Sequence, residues 1–131
     1  SPPRTSTTSG YRKGIARLSW IYPPRSERLM SGSFDYQLTE LGGLSPARLD
    51  DPDTLSAVLV AAAASIGLSA DSPPIVRGGV LGHAAALVSV DGHIVLHTTP
   101  RAGTCLVDIV VRKPATTARG LEVIARRLAR D

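Results

Sequence analysis

The apolar positions change period along the chain, and each change marks an element. Phe34-Asp35-Tyr36-Gln37-Leu38-Thr39-Glu40-Leu41 alternates between polar and apolar side chains and closes on Gly42-Gly43, which predicts a strand ending in a turn. Asp51 ahead of Pro52 supplies an N-cap followed by a residue whose ring presets φ for the first helical turn. Leu55, Val58, Leu59, Ala62 and Ile66 then recur at helical spacing up to Gly67, so this helix buries one stripe, and its many alanines let a sheet approach closely. Strand-like segments follow near Ile75-Val76, over His83–Val90, over His93–Thr99 and over Thr104–Arg112, with Val107, Ile109 and Val111 on one side of the last. Pro114 breaks the chain before a final helix over about 115–130, with Leu121, Ile124 and Leu128 inward and Arg119, Arg126, Arg127 and Arg130 outward.

The order β-α-β-β-β-β-α predicts an α+β two-layer sandwich, an antiparallel sheet with two helices on one face. Such a sheet leaves its second face in need of a cover, and a second copy of the chain is the expected one. Asp91-Gly92 is a favoured dipeptide for a two-residue type I′ hairpin, whose central positions both need positive φ. That turn pairs Val90 with His93, Val88 with Val95 and Ala86 with His97. His93, Val95 and His97 then share a face with Val88 and Val90, while Ile94 and Leu96 share the other with Ala85 and Leu87. Leu106, Asp108, Val110 and Arg112 line one face of the next strand. One face of the sheet is therefore aliphatic, and the other mixes valine with His, Asp and Arg. The mixed face is the expected functional surface.

Composition bounds what this surface can do. The chain has 131 residues, 43% of them hydrophobic and 20% charged, enough for one packed domain and too apolar for wholesale disorder. Its longest apolar run, Ala57 to Ala64, is far short of the roughly 20 residues of a membrane span. No charged segment followed by an apolar one opens the chain, so no secretory leader is expected. One cysteine, Cys105, forms no intramolecular disulfide and fits a reducing, cytoplasmic setting; it is expected to be a small buried residue. The net charge of +4 is concentrated at one end. Residues 1–30 carry Arg4, Arg12, Lys13, Arg17, Arg25 and Arg28 against Glu27 alone, and the remainder is slightly acidic. This stretch divides into a Ser/Thr/Pro-rich tail over residues 1–10, expected to be mobile, and an alternating segment ending at Tyr22-Pro23-Pro24 that reads as an edge strand or strap. It forms a basic arm or lid beside a domain at 31–131. Nucleic acid is not the partner expected for it, because no dense Lys/Arg run is present.

Metal and phosphate motifs are missing. Four strand residues separate His93 from His97 by roughly 13 Å, too far for both imidazoles to reach one zinc at about 2 Å. Gly42-Gly43 and Gly78-Gly79 read as turns, with no phosphate loop, dinucleotide fingerprint or Ser-His-Asp order. No metal and no cofactor are expected.

One stretch carries a family likeness. Gly92-His93-Ile94-Val95-Leu96-His97-Thr98-Thr99-Pro100-Arg101-Ala102-Gly103, followed by Val107-Asp108-Ile109, resembles the central motif of the short bacterial and archaeal S-adenosylmethionine decarboxylases. That family shows Glu-Ser-His, three residues, His-Thr-Trp-Pro-Glu, a glycine and then Val-Asp. Glu40, the Leu49-Asp50-Asp51 lead into the first helix and Gly79-Val80-Leu81-Gly82 extend the resemblance over residues 32 to 113. It implies an antiparallel sheet with outer helices, two such sheets stacking in a homodimer around the active sites. The family's pyruvoyl cofactor forms from the serine of Glu-Ser-His, and Gly92 stands there, after Asp91. The family's processing serine falls on Ala84 and its acid cysteine on Arg112. Thr99 and Arg101 replace the tryptophan and glutamate. Only the processing histidine, His97, and Glu40 are kept.

Decarboxylation needs an electron sink that side chains alone do not supply. The expectation is therefore a non-decarboxylating relative, a cofactor-free biosynthetic enzyme of cyclisation, isomerisation or elimination type acting on a small molecule. His97, Arg112, Glu40 and Asp108 are its candidate catalytic residues, and Tyr36, His93, Arg101 and Trp20 its candidate substrate contacts. A catalytically inactive regulatory partner of a decarboxylase and an arm-mediated nucleic-acid binder are the alternatives.

Overall fold

The computed structural model describes residues 4–8 and 32–131. Six antiparallel strands form one sheet in the order β1-β2-β6-β5-β4-β3. They are β1 (Arg4–Thr8), β2 (Phe34–Gly42), β3 (Ile75–Gly78), β4 (His83–Ser89), β5 (Gly92–Thr99) and β6 (Thr104–Arg112), with helices α1 (Pro46–Leu49), α2 (Pro52–Ser65) and α3 (Ala118–Leu128). The α+β, two-layer expectation holds, with the short helix α1 added. Ser45 caps α1 by accepting from the Arg48 amide, a signal the apolar pattern does not carry. The expected tail differs too: residues 4–8 are a strand paired with β2, Arg4 opposite Gly42 and Thr8 opposite Leu38. Ser/Thr-rich strands offer little apolar periodicity, and here the ladder to an edge replaces it. The strap expected between residues 16 and 22, with Trp20, lies outside the described residues.

Helix α2 starts where its cap dictates. The Asp51 carboxylate accepts from the Asp53 amide at 3.3 Å and from the Thr54 hydroxyl at 2.6 Å. Leu55, Val58, Leu59 and Ala62 are buried, as their spacing requires, and Ile66 follows at the C-cap. Helix α3 lacks a side-chain cap of its own. Asp35 on β2 does that work from across the chain, accepting from the Thr117 amide at 2.8 Å and lying 3.1 Å from its hydroxyl. Ile124 and Leu128 are buried from α3, while Leu121 is only partly so because Gly120 takes the closest approach to Ile66 and Ile109.

The β4–β5 hairpin is displaced from the expected register. Ser89 pairs with Gly92, Val88 with His93, Ala86 with Val95 and Ala84 with His97. Val90 and Asp91 therefore form the turn, and neither has positive φ, so it is not the type I′ turn the dipeptide predicts. Asp91 is held at the apex from the neighbouring strand: its carbonyl accepts from the Arg112 amide at 2.8 Å, and its carboxylate meets Arg112 Nε at 3.1 Å. Gly92 becomes the first strand residue. The slip is two residues, and an even slip keeps every side chain on its face.

Parity accordingly divides the sheet as the alternation predicts. Leu41, Ala85, Leu87, Ile94, Leu96, Cys105, Val107, Ile109 and Val111 are buried towards the helices. Among the described residues the opposite face carries no helix, and it presents the polar set.

Candidate functional site

Cross-strand pairing turns the open face into rows. Tyr36, Val110, His93 and Val88 form one; Leu38, Asp108, Val95, Ala86 and Ile75 form the next. Glu40, Leu106, His97, Ala84 and Arg77 form the third. Because directly paired residues share a face, the rows fix which side chains can meet.

The candidate residues divide between the two ends of this face. At the hairpin end, His93 Nε2 lies 3.6 Å from Asp108 Oδ2, both side chains partly exposed. Tyr36 belongs to the same row as His93. Arg112 stands beyond that row, its Nε on Asp91 and its guanidinium 4.5 Å from the centre of the Phe34 ring. At the other end stand His97 and Glu40, both exposed and two strands apart, about 10 Å between backbones. Arg112 is six residues along β6 from the partner of His97, roughly 20 Å, so the two do not share one pocket as the sequence reading supposes. Asp108 likewise serves His93, and Arg112 is paired with Asp91.

Arg101 occupies the 3-10 turn Pro100–Ala102. It faces a groove of about 310 Å³ with Asp50, Leu81 and Thr99. His83, on the helix-side parity, is largely buried; its Nδ1 lies 3.5 Å from Asp50 Oδ1 without making a hydrogen bond. Cys105 is fully buried on the helix side, and burial pushes its thiol up to about 12, only partly opposed by a hydrogen bond from the His97 backbone. It is no nucleophile.

Two features escape the sequence. Arg77 joins the His97 row only through the pairing of β3, a four-residue strand whose partner no periodicity announces. The Asp35–Thr117 link joins residues 82 apart in the chain. Among the described residues no group of three His, Cys, Asp or Glu side chains is placed to hold a metal ion. No helix among them is long and apolar enough to cross a membrane.

A pyruvoyl group would have to arise at residue 92, and the residues there do not fit it. Gly92 has φ of 157°, and a Cβ built on it would lie 2.0 Å from the Val110 carbonyl oxygen and 2.9 Å from Val111 Cα. The backbone of β6 fills the place of any side chain, serine included.

Known proteins agree with the architecture. The profile of the S-adenosylmethionine decarboxylase family matches residues 36–131. Among solved structures, the adenosylmethionine decarboxylase of Aquifex aeolicus VF5 superimposes with a TM-score of 0.65 over 73% of this chain and 80% of that one, at 20% identity. No curated protein matches the sequence.

Proposed function

The chain belongs to the S-adenosylmethionine decarboxylase family, and from that premise we propose that it has left the family's reaction for cofactor-free chemistry on a small molecule at the open face. What carries this reading is Gly92. A residue without a hydroxyl cannot form the ester from which a pyruvoyl group is released, and the backbone around Gly92 has closed over the missing side chain. No other electron sink is available from side chains, so decarboxylation falls away and proton transfer remains.

His97 is the residue for that transfer. It is retained from the resembled family and stands exposed on the open face, with an imidazole that can both accept and return a proton. Proton shuttling between imidazole and substrate suits isomerisation, cyclisation or elimination, each of which moves a proton without a redox partner. Glu40 lies in the same row and is the candidate second proton carrier. Asp108 orients His93, and Arg112, neutralised by Asp91, braces the hairpin.

The open face would be closed by a second copy, sheet against sheet. Phe34, Val88 and Leu106 expose apolar surface there, which supports stacking. The same surface supports a second reading, an inactive partner that stacks on a catalytic homologue. Addition of this chain to an active pyruvoyl-type homologue separates them: a rise in that enzyme's rate favours the partner reading, and no change favours the enzyme.

Intact mass tests the central claim. The chain should stay uncleaved at 13.7 kDa, with no keto group trapped by hydroxylamine. Two fragments breaking between Asp91 and Gly92 would refute it. On a substrate, His97→Gln should cost roughly 10²- to 10⁴-fold in rate.

A further inference from the structure

The open face also carries a trough at its β3 edge. Arg77 pairs with Ala84, and Ala84 with His97, so the three stand in one row across three strands. The next row repeats the pattern, with Ala86 between Ile75 and Val95. Two successive alanines on β4 leave a channel between walls whose backbones are about 10 Å apart. A groove of about 540 Å³ opens at the Arg77–His97 row, lined by Arg77, His83, Ala84, His97, Thr98 and the loop at Gly78–Gly82, and the Ile75–Ala86–Val95 row continues the channel beyond it. The loop is pinned at its base, since the Gly79 amide donates to the Gly82 carbonyl at 2.8 Å. Gly82 presses so near β5 that a Cβ there would lie 1.9 Å from the Thr98 carbonyl oxygen.

Charge distinguishes Arg77 from Arg112 and Arg48. Arg112 is paired with Asp91, and Arg48 with Asp131. Arg77 is exposed, donates only to the neighbouring Val76 carbonyl at 3.1 Å, and meets no carboxylate among the described residues. Its planar fork suits two oxygens of one anion, and His97 faces it across Ala84.

We propose that this trough binds a small amphiphilic acid. An anionic head, carboxylate or phosphate, sits between Arg77 and His97, and an apolar body lies over Ala84 and Ala86 between Ile75 and Val95. The inference rests on the reading of the open face given above and names the ligand class of its site. It also moves the anion-binding role away from Arg112.

Isotope-labelled full chain titrated with acetate, hexanoate, inorganic phosphate and hexyl phosphate, followed by backbone amide shifts, tests it. Shifts should centre on Gly78, Ala84, Ala86 and His97. Each six-carbon ligand should bind several-fold tighter than its headgroup alone, because the chain buries methylenes in the trough. The tighter of the two series identifies the head. Arg77→Gln should weaken binding at least about ten-fold, and Arg77→Lys less, while Arg112→Gln should leave it within about two-fold. Equal binding by long and short ligands, or affinity indifferent to Arg77→Gln in a protein whose remaining amide spectrum is unchanged, would overturn the proposal. A chain that binds hexanoate in the trough yet cleaves at Gly92 keeps this inference and loses the proposed function. An uncleaved chain that binds none of the four does the reverse.

Discussion

Strands β2, β4, β5 and β6 each contribute alternate residues to two surfaces that share one hydrogen-bond ladder and little else. Towards the helices stand Leu41, Ile94, Leu96, Val107 and Ile109, essentially without solvent contact. Towards the open side stand Glu40, His93, His97, Asp108 and Arg112, every one at least partly exposed. Burial disfavours polar groups on the first surface and permits them on the second, so stability and chemistry are carried by residues one position apart. A family can therefore change its reaction on the open side while its fold stays recognisable from the buried side. Gly92 is where the two meet: it carries no side chain, and a Cβ there would run into the β6 backbone.

The sharpest contrast between the faces is chemical. Cys105 is on the buried face and its thiol is raised from 9.0 to about 12, so at pH 8 its thiolate population falls roughly 10³-fold below that of a free thiol. Iodoacetamide labelling should be slowed at least that much in the native protein and become complete in denaturant. Rapid native labelling would mean that the helix-side face opens.

Removing packing comes next. Leu96 is fully buried on the helix side of β5, and Leu96→Ala should cost about 3 kcal/mol in urea unfolding, the lost transfer energy plus a cavity. A smaller effect follows at the junction of the faces. Gly92→Ser should destabilise by about 1–3 kcal/mol, since its Cβ meets the Val110 carbonyl, and should not restore self-cleavage. A cleaving Gly92→Ser chain would show that the site remains competent and that only the serine is missing.

How far the residues announce this arrangement depends on what kind of information each part needs. Face assignment needs only period two, and Ile94, Leu96, Val107 and Ile109 reveal it without knowledge of the partners. The Asp51-Pro52 start of α2 is equally local, a cap and a ring within two residues. Register needs more: Asp91-Gly92 names a turn, but Arg112, on another strand, decides that Val90 and Asp91 form it. Site assembly needs the most. The sequence places His97, Asp108 and Arg112 on one face, yet that face is about 20 Å long, and sharing it is not proximity. Arg77 is invisible for the same reason, because its meeting with His97 exists only through two strand pairings.

The smallest effect on folding gives the most direct test of what the open face is for. Val88 stands on that face 65% exposed, in the row of His93 and Val110, on a strand whose buried residues are Ala85 and Leu87. Val88→Lys removes little buried area and retains the ladder, so the unfolding midpoint should move by no more than about 0.5 kcal/mol. If two sheets stack through this face, the same substitution sets a lysine against its own copy or against apolar surface, and desolvating that charge without a partner should drive dimer to monomer. Light scattering on the parent and on Val88→Lys reads this directly. A dimeric parent and a monomeric, equally stable variant would assign the open face to self-association. A parent already monomeric at micromolar concentration would leave the face free for a ligand or a different partner, and the proposed stacking would be wrong. Loss of stability matching that of Leu96→Ala would erase the contrast itself, since Val88 would then be part of a second core.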